Sequence, residues 1–437
     1  MNEKLDPIPK WTQHQLSDVA KIIDPHPSHR APDAVLEGVP FAGIGDLSER
    51  GELAPNQARI VPLHVLREHE ARYRLSSNSI GFGRVASIGK VIDFRGDVEE
   101  LTISPTMAVI EPFGIDRNFL VHSLRGAAVK EAIEKWLTGS TRSSLGIELL
   151  RQIPVRAPDR ASQEKISAIL TSISTAIEKT EALIAKYQQV KAGLMHDLLT
   201  RGVLPNGQLR PPREQAPELY QETEVGWIPK KWHTKLVREI CSEIGDGVHY
   251  SVSRSSEGVP FLFVSCVRDG EIDWDTAARI SPSTYIEISK KCKPYEGMIL
   301  LTAVGSYGHA VHVQTNDAFG FERNIAYLKP NTDAVSSKYL YHWLTSSCAT
   351  NQIERLVIGN AQKVLTLGNT GKIAVALPNE REQEIIVTQL NSVDRKVLSE
   401  KQKLNKLNSV KFGLMQDLLT GKVSVSVDAA ALEPVDG

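Results

Sequence analysis

Side chains able to bind phosphate groups or the edges of nucleic-acid bases are concentrated in two sets of loops. A Gly/Ser-rich segment of the first half carries Arg72, Tyr73, Arg74, Arg84, Lys90 and Arg95. Polar loops of the second half carry Tyr250, Ser251, Arg254, Ser306, Tyr307, His309, Gln362 and Lys363. Such groups hydrogen-bond phosphates and base edges. An ordinary solvated surface explains any one of them equally well, so each set is a stronger prediction of DNA contact than its single members.

Motifs of catalytic chemistry are missing from the sequence. No G-x-x-x-x-G-K-[ST] loop is present, and GNTGKIAV at 368–375 has the wrong spacing for one. No G-x-G-x-x-G segment opens a helix after a strand, and the N/D-P-P-Y/F motif of amino-methyltransferases is absent. The cysteines are too widely spaced for a zinc knuckle or a disulfide framework, at Cys241, Cys266, Cys292 and Cys348. We therefore expect no catalytic residues, no cofactor and no metal site in this chain.

The composition is that of a globular protein with several domains. The chain has 437 residues, of which 41% are hydrophobic and 24% charged. No apolar run approaches the roughly 20 residues that span a bilayer, and no secretory signal is recognisable, so we expect a cytoplasmic location. The formal net charge is −1, whereas autonomous DNA-binding proteins are usually basic. DNA binding would therefore require a local positive surface or a partner protein.

An internal repeat organises the whole chain. KAGLMHDLLTRGV at 191–203 recurs as KFGLMQDLLTGKV at 411–423, and EGVPF at 37–41 recurs at 257–261. Both pairs are 220 residues apart, and the same offset aligns other positions, including the Gln-Glu pairs at 163–164 and 383–384. Several matches at one offset indicate a tandem duplication, in which each half is a variable block followed by a helix.

Two long helices with a coiled-coil repeat are predicted for 159–203 and 379–423. In the first, the a positions are Leu170, Ile177, Ile184, Lys191 and Leu198, and the d positions are Ile166, Ile173, Thr180, Tyr187 and Leu194. In the second helix, the a positions are Leu390, Val397, Leu404, Lys411 and Leu418, and the d positions are Ile386, Val393, Glu400, Leu407 and Leu414. This 3-4 spacing predicts paired helices, each a rod of roughly 60 Å at about 1.5 Å per residue.

Residues at the helix ends support these boundaries. Asp159 and Asn379 are suitable N-caps, and Glu382 stands at the capping-box position three residues after Asn379. Gly202 and Gly421 follow the last turns. Lysine occupies the same a position in both helices, at 191 and 411. Two interpretations stay open: its stem packs while the ammonium reaches water, or it fixes the register and the partner.

The sequence thus predicts an α/β protein with two recognition domains, at 1–158 and 223–378. Spacer helices follow at 159–203 and 379–423, a proline-rich linker at 204–222, and a flexible tail at 424–437. Within the second domain, PFLFVSCV at 260–267 and GMILLTAV at 297–304 are predicted as strands, and SSKYLYHWLTSS at 336–347 as a helix. Weaker counterparts in the first are VPFAGIGDL at 39–47 and NFLVHSLRG at 118–126.

The motifs together resemble the specificity subunits of type I restriction-modification systems. ETEVGWIPKKWHTKLVREI at 222–240 opens a domain, PNEREQEII at 378–386 begins a helix, and G-L-M-x-D-L-L-T ends both helices. The resemblance covers essentially the entire chain. The first half departs from the pattern, since its domain opens with IPKWTQHQL at 8–16 and its helix begins with PDRASQEKI at 158–166.

The resemblance implies a non-catalytic subunit with several partners. Each variable block would be a target-recognition domain that reads one half of a bipartite, asymmetric double-stranded DNA sequence, and the helices would pair antiparallel as a spacer. Two methyltransferase (modification) subunits, which carry the S-adenosylmethionine site, would dock on the conserved helices, and restriction subunits (translocase and nuclease) could join. On the outer helix faces, Asp197 and Asp417 are the expected docking residues. Two other interpretations are a scaffold that reads no DNA and an enzyme with an unrecognised active site.

Overall fold

The computed structural model describes residues 11–25, 31–54, 58–95, 100–138, 144–359 and 362–426. The chain divides into two units, of which the first is Met1–Glu181 with Gln402–Gly437 and the second is Ala182–Lys401. The boundaries cut both long helices near their middles. Each unit therefore contains one variable block and half of each helix, whereas the sequence suggested that the helices would be segments of their own.

The first unit contains nine strands and five short helices among its described residues. The strands are β1 (Thr12–Gln15), β2 (Ala20–Ile23), β3 (Val39–Ala42), β4 (Arg59–Val61), β5 (Ile80–Gly83), β6 (Val91–Asp93), β7 (Thr102–Ile103), β8 (Met107–Pro112) and β9 (Pro154–Ala157). The helices are α1 (Leu16–Val19), α2 (Leu63–Glu70), α3 (Arg117–Leu124), α4 (Ala127–Leu137) and α5 (Ile147–Arg151). The long helix α6 (Arg160–Thr200) begins in this unit and ends in the second.

The second unit repeats this order of elements after a short hairpin. The hairpin strands are β10 (Tyr220–Thr223) and β11 (Gly226–Pro229). The strands that follow are β12 (His233–Leu236), β13 (Cys241–Asp246), β14 (Arg254–Ser255), β15 (Val259–Leu262), β16 (Val267–Arg268), β17 (Glu271–Ile272), β18 (Ala278–Ile280), β19 (Ile299–Thr302), β20 (Ala310–His312), β21 (Gly320–Phe321), β22 (Ile325–Pro330) and β23 (Ala374–Leu377). The helices are α7 (Val237–Ile240), α8 (Pro282–Ile288), α9 (Ser337–Leu344), α10 (Ser347–Leu356), α11 (Leu367–Thr370) and the long α12 (Glu380–Leu418).

The sheets confirm the duplication and the mixed helix-and-sheet fold. One sheet has the order β2-β8-β5-β6 in the first unit and the equivalent order β13-β22-β19-β20 in the second. A second sheet has the order β4-β3-β7, and its counterpart β18-β15-β21 gains β14 at one edge. In both units the last pair of this sheet is parallel, with Phe41 opposite Thr102 and Phe261 opposite Gly320. The repeat in sequence is therefore a repeat in topology.

Most of the predicted elements in the variable blocks are confirmed. The segment 297–304 contains β19, and 336–347 contains α9. In the first block, the predicted segment 118–126 contains most of α3, whereas 39–47 forms a strand, β3, only as far as Ala42. The single strand predicted for 260–267 is wrong beyond Leu262, because the chain turns at 264–266 and starts the β16–β17 hairpin. The backbone N–H of Val264 donates there to the Glu322 carboxylate at 2.8 Å, which satisfies a polar group that a continuing strand would have paired.

The long helices begin directly after the predicted N-caps and end at Thr200 and Leu418, three and five residues before the predicted ends. Asp159 and Asn379 accept hydrogen bonds from the backbone N–H groups three residues on, both at 3.0 Å. Gly202 and Gly421 follow the helices with positive φ, at +64° and +73°. All a and d positions of the two repeats are buried or half-buried. In the second unit the helices run antiparallel, since Lys191 pairs with Asp394 at 2.5 Å and Lys396 lies over the ring of Tyr187.

The predicted capping box at Glu382 is wrong. Its carboxylate instead accepts from the backbone N–H of Val203 at 2.9 Å and forms a two-pronged ion pair with Arg210. Arg210 belongs to the segment that was expected to be a linker. That segment is packed within the second unit, where Tyr220 is buried and donates to the carbonyl of Pro211. The carboxylate thus ties the segment after α6 to the first turn of α12.

No helix in the described ranges is long and apolar enough to cross a membrane.

Candidate nucleic-acid interface

A polar pocket of about 390 Å³ lies on the second unit, where three chain segments meet. The segments are the loop between β13 and β14, strand β15 with the residues just after it, and the turn between β21 and β22. The residues that line it are Val248, His249, Tyr250, Ser251, Val252, Arg254, Phe261, Phe263, Glu322, Arg323 and Asn324. Three of the predicted DNA-contacting side chains, Tyr250, Ser251 and Arg254, are thus brought together.

A close backbone approach holds the loop in place. A Cβ at Gly247 would lie 2.1 Å from the carbonyl oxygen of Phe321, so only glycine fits where the loop leaves β13. The next residue, Val248, donates from its N–H to the same carbonyl at 3.0 Å, and its own carbonyl accepts from Arg323 at 2.9 Å. These bonds extend the pairing of β21 and bring Arg323 beside the loop.

The pocket combines exposed cations with aromatic surfaces. The guanidinium of Arg254 lies 4.8 Å from the ring centre of Phe263, and both Arg254 and Arg323 are exposed. Tyr250 is 55% exposed, although it is aromatic. Stacking restricts the Arg254 guanidinium while leaving its hydrogen-bond donors free, which suits two-pronged recognition of a guanine edge or a phosphate.

The acidic groups beside the pocket are engaged within the protein. Glu322 accepts from the N–H of Val264 and from the amide of Asn324. At the foot of the loop, Asp246 accepts from Lys291 at 2.7 Å and from His249 at 2.8 Å. Burial alone would raise the pKa of Asp246, but these hydrogen bonds outweigh it and lower the pKa. These carboxylates therefore hold the loop and the neighbouring turn in place.

The other predicted residues of the second half lie apart from this pocket. Tyr307 and His309 line a different cleft, and Ser306 is half-buried in the same loop. Lys363 is exposed and lies 5.9 Å from the Tyr307 ring centre, and Gln362 is exposed beside it.

In the first unit, three of the predicted DNA-contacting side chains form hydrogen bonds within the protein instead. Tyr73 is buried, and its hydroxyl accepts from the N–H of Ile103 at 3.1 Å. Arg84 is also buried and donates to the carbonyl of Leu145 at 3.0 Å. The ammonium of Lys90 donates to the carbonyls of Ile44 and Leu47, at 3.0 and 2.7 Å. These side chains stabilise the domain and leave few donors for DNA.

The remaining three residues of that set are exposed. Arg72 and Arg74 follow α2, and Arg74 lies 3.5 Å from Glu70. Arg95 pairs with the buried carboxylate of Asp93 at 2.5 Å, and its own side chain is 39% exposed. The first-unit set is therefore reduced to Arg72, Arg74 and Arg95, which retain solvent-facing charge.

The sequence did not single out Arg323, His249 or Phe263. No local pattern marks them, because Arg323 is about 70 residues from the loop it joins and Phe263 follows a strand. The described ranges contain no group of three or more His, Cys, Asp or Glu side chains arranged to hold a metal ion.

Comparisons with known proteins agree on one family. The family model described as "Type I restriction modification DNA specificity domain" matches residues 9–187 and 229–409. The chain is 24% identical to the putative type I restriction enzyme MjaX specificity subunit of Methanocaldococcus jannaschii, over 83% of this chain and 82% of that protein. It is 23% identical to the MjaVIII specificity subunit of the same organism, over 74% of each chain.

A solved structure shares the fold. The crystal structure of the type I restriction-modification S subunit from M. genitalium superposes with a TM-score of 0.58 at 15% identity, covering 95% of this chain and 98% of that one.

Proposed function

Because this chain belongs to the type I restriction modification DNA specificity family, with two copies of the family domain, we propose that it selects the DNA target of a type I restriction-modification complex and is not itself catalytic. The two recognition domains, 1–158 and 223–378, each read one half of a bipartite, asymmetric sequence. The observation that carries this proposal is the duplication: both units have the same sheet order, yet their loops carry different polar side chains.

In the second unit, the proposed base-reading group is the cluster of Tyr250, Ser251 and Arg254 with Arg323. A guanidinium that binds a base in two-pronged fashion contributes about 1–3 kcal/mol of discrimination against the wrong base. Gln362 and Lys363, and in the first unit Arg72, Arg74 and Arg95, are proposed as phosphate contacts. A phosphate contact adds to affinity without sequence preference and weakens as salt is raised.

Exchange of one recognition domain tests whether each domain recognises its own half-site independently. Residues 226–375 would be replaced by the equivalent block of a relative with a different target, and the methylated sequence would be mapped in cells. We expect one half-site to change while the other half-site is retained. The reciprocal exchange of the first block is the matched control, and a change of both half-sites by either exchange would contradict the proposal.

A point substitution tests the pocket. Arg254→Ala should weaken binding of the cognate duplex by about 5- to 150-fold, corresponding to about 1–3 kcal/mol, and relax the preference at one base pair. Arg355→Ala, on an exposed position of α10, is the control and should leave both unchanged. Equal losses for cognate and random duplexes would identify Arg254 as a phosphate contact only.

The helices are the proposed docking site for two methyltransferase subunits, and restriction subunits could join that complex. Asp197 and Asp417 occupy equivalent positions of the repeated G-L-M-x-D-L-L-T segment, and both side chains are partly exposed, beside Arg201 and Lys422 respectively. Reversing both charges should reduce co-purification of the methyltransferase subunits without changing the circular dichroism spectrum. Unchanged stoichiometry would contradict this assignment.

The alternative of a scaffold that binds no DNA has its own test. If the assembled complex binds DNA, it should retard the electrophoretic mobility of a random-sequence duplex, and raising the salt concentration should weaken this effect. A duplex whose mobility does not change at any salt concentration would favour the scaffold.

A further inference from the structure

A second cleft of the second unit, about 540 Å³ in volume, contains none of the proposed base-reading residues, although its wall includes Tyr307 and His309, which the sequence predicts as DNA contacts. Its walls come from the β16–β17 hairpin, the loop before β20, the helices α9 and α10, and the last turns of α6. Two carboxylates, Asp269 and Glu354, line it together with Tyr341, Thr345 and Thr350. Because the chain is duplicated, this cleft can be compared with the equivalent region of the first unit.

In the first unit the equivalent place holds an arginine. Arg125 directly follows α3, as Thr345 directly follows α9, and the two helices correspond at an offset of 220 residues. The guanidinium of Arg125 pairs with Glu49 at 3.3 Å and donates to the carbonyls of Glu49 and Val91. Its side chain is only 19% exposed. The first unit thus fills this place with its own cation.

The second unit has uncharged residues at two positions where the first unit has cations, and it has carboxylates at the two corresponding acidic positions. Threonine replaces arginine at 345 and lysine at 350, the latter corresponding to Lys130 in α4. The carboxylates are retained, because Asp269 corresponds to Glu49 and Glu354 corresponds to Glu134 at the same offset.

No basic side chain in the described part of the chain forms an ion pair with Asp269 or Glu354. The one lysine in the cleft wall, Lys191, is already paired with Asp394 at 2.5 Å. The cleft therefore presents two exposed carboxylates, and one of them, Asp269, corresponds to the Glu49 that pairs with Arg125 in the other unit.

We propose that this cleft binds an arginine side chain supplied by a protein partner, in the position that Arg125 fills in the first unit. A guanidinium can form a two-pronged bond with a carboxylate and can stack on a tyrosine ring, which Tyr341 offers. The same acids repel phosphate, which makes DNA an unsuitable occupant. The partner's identity as a methyltransferase subunit rests on the proposed function, whereas the chemical preference of the cleft does not.

The chemical preference is tested on the full chain alone, with N-acetyl-arginine methylamide as the probe and its neutral citrulline isostere as the control. Saturation-transfer NMR should show binding of the arginine probe and at least a tenfold weaker signal for citrulline. The double variant Asp269→Asn/Glu354→Gln and the variant Thr345→Arg should abolish the signal, and Thr345→Ser should retain it. Equal signals from both probes, or a signal that survives these variants in folded protein, would overturn the proposal.

The partner is tested by titrating methyltransferase subunits onto wild-type chain, Thr345→Arg and Thr345→Ser. We expect Thr345→Arg to raise the Kd at least tenfold, because its own arginine occupies the cleft, and we expect Thr345→Ser to bind like wild type. An unchanged Kd for Thr345→Arg would refute a protein arginine as the occupant. Failure of the wild-type chain to bind these subunits would contradict the proposed function instead, and the probe measurement would still decide the chemistry of the cleft.

Discussion

Replacing Glu382 by alanine should destabilise the second unit strongly, although the residue lies in the first turn of an amphipathic helix. Its carboxylate is 6% exposed and faces the guanidinium of Arg210, which is 12% exposed. It also accepts the N–H of Val203, just after the end of α6. The substitution removes all of these bonds and leaves a buried guanidinium without its counter-charge.

The expected loss is about 4 kcal/mol. Removing one partner of a buried ion pair costs about 3–5 kcal/mol, because the other charge stays buried and unpaired. An unsatisfied buried N–H costs about 1–3 kcal/mol, and the two effects overlap since the site can relax and admit water. Glu384→Ala, two residues on and exposed, should change stability by less than about 0.5 kcal/mol.

Urea unfolding combined with hydrogen exchange of residues 201–212 measures this effect. The double variant Arg210→Met/Glu382→Leu should recover at least half of the lost free energy, because it buries no charge. A loss below about 1 kcal/mol for Glu382→Ala, or exchange in 201–212 no faster than in wild type, would show that the carboxylate does not hold these segments together.

Three further outcomes are expected. Gly193→Ala should raise stability by up to about 1 kcal/mol, because nothing lies within 4 Å of the added Cβ in a helix, while Gly202→Ala should lower it because its φ is +64°; thermal unfolding compares the two. Burial lowers the pKa of His342 to about 4. Since unfolded histidine binds a proton near pH 6.5, the contribution of His342 to stability should fall by up to about 3 kcal/mol as the pH drops from 6.5 to 4. His342→Gln should reduce the pH dependence of urea unfolding and leave the part due to His122, whose pKa burial also lowers to about 4. Lys191→Met should cost no more than about 1 kcal/mol, because its ion pair with Asp394 is partly exposed, and a cost unchanged in 1 M salt would contradict an electrostatic role.

The repeat and the long helices could be read from the sequence because their signals are local and periodic. A heptad pattern specifies which face of a helix is buried wherever the partner lies, so residues such as Leu170 and Leu390 could be placed correctly. Caps depend on residues three positions apart, which explains the success at Asp159 and Asn379. The segments that repeat at an offset of 220 residues likewise predicted that both halves share one topology.

Only the tertiary structure decided which polar side chains are buried in internal bonds and which remain exposed to a ligand. Arg84 and Arg254 look alike in sequence, yet one is buried against a carbonyl and the other is stacked and exposed. Glu382 had the spacing of a capping residue, but a distant arginine offered a stronger charge-assisted bond. The pocket and the cleft are assembled from segments far apart in the chain, and whether a cation such as Arg125 fills such a place depends on neighbours that no local pattern identifies.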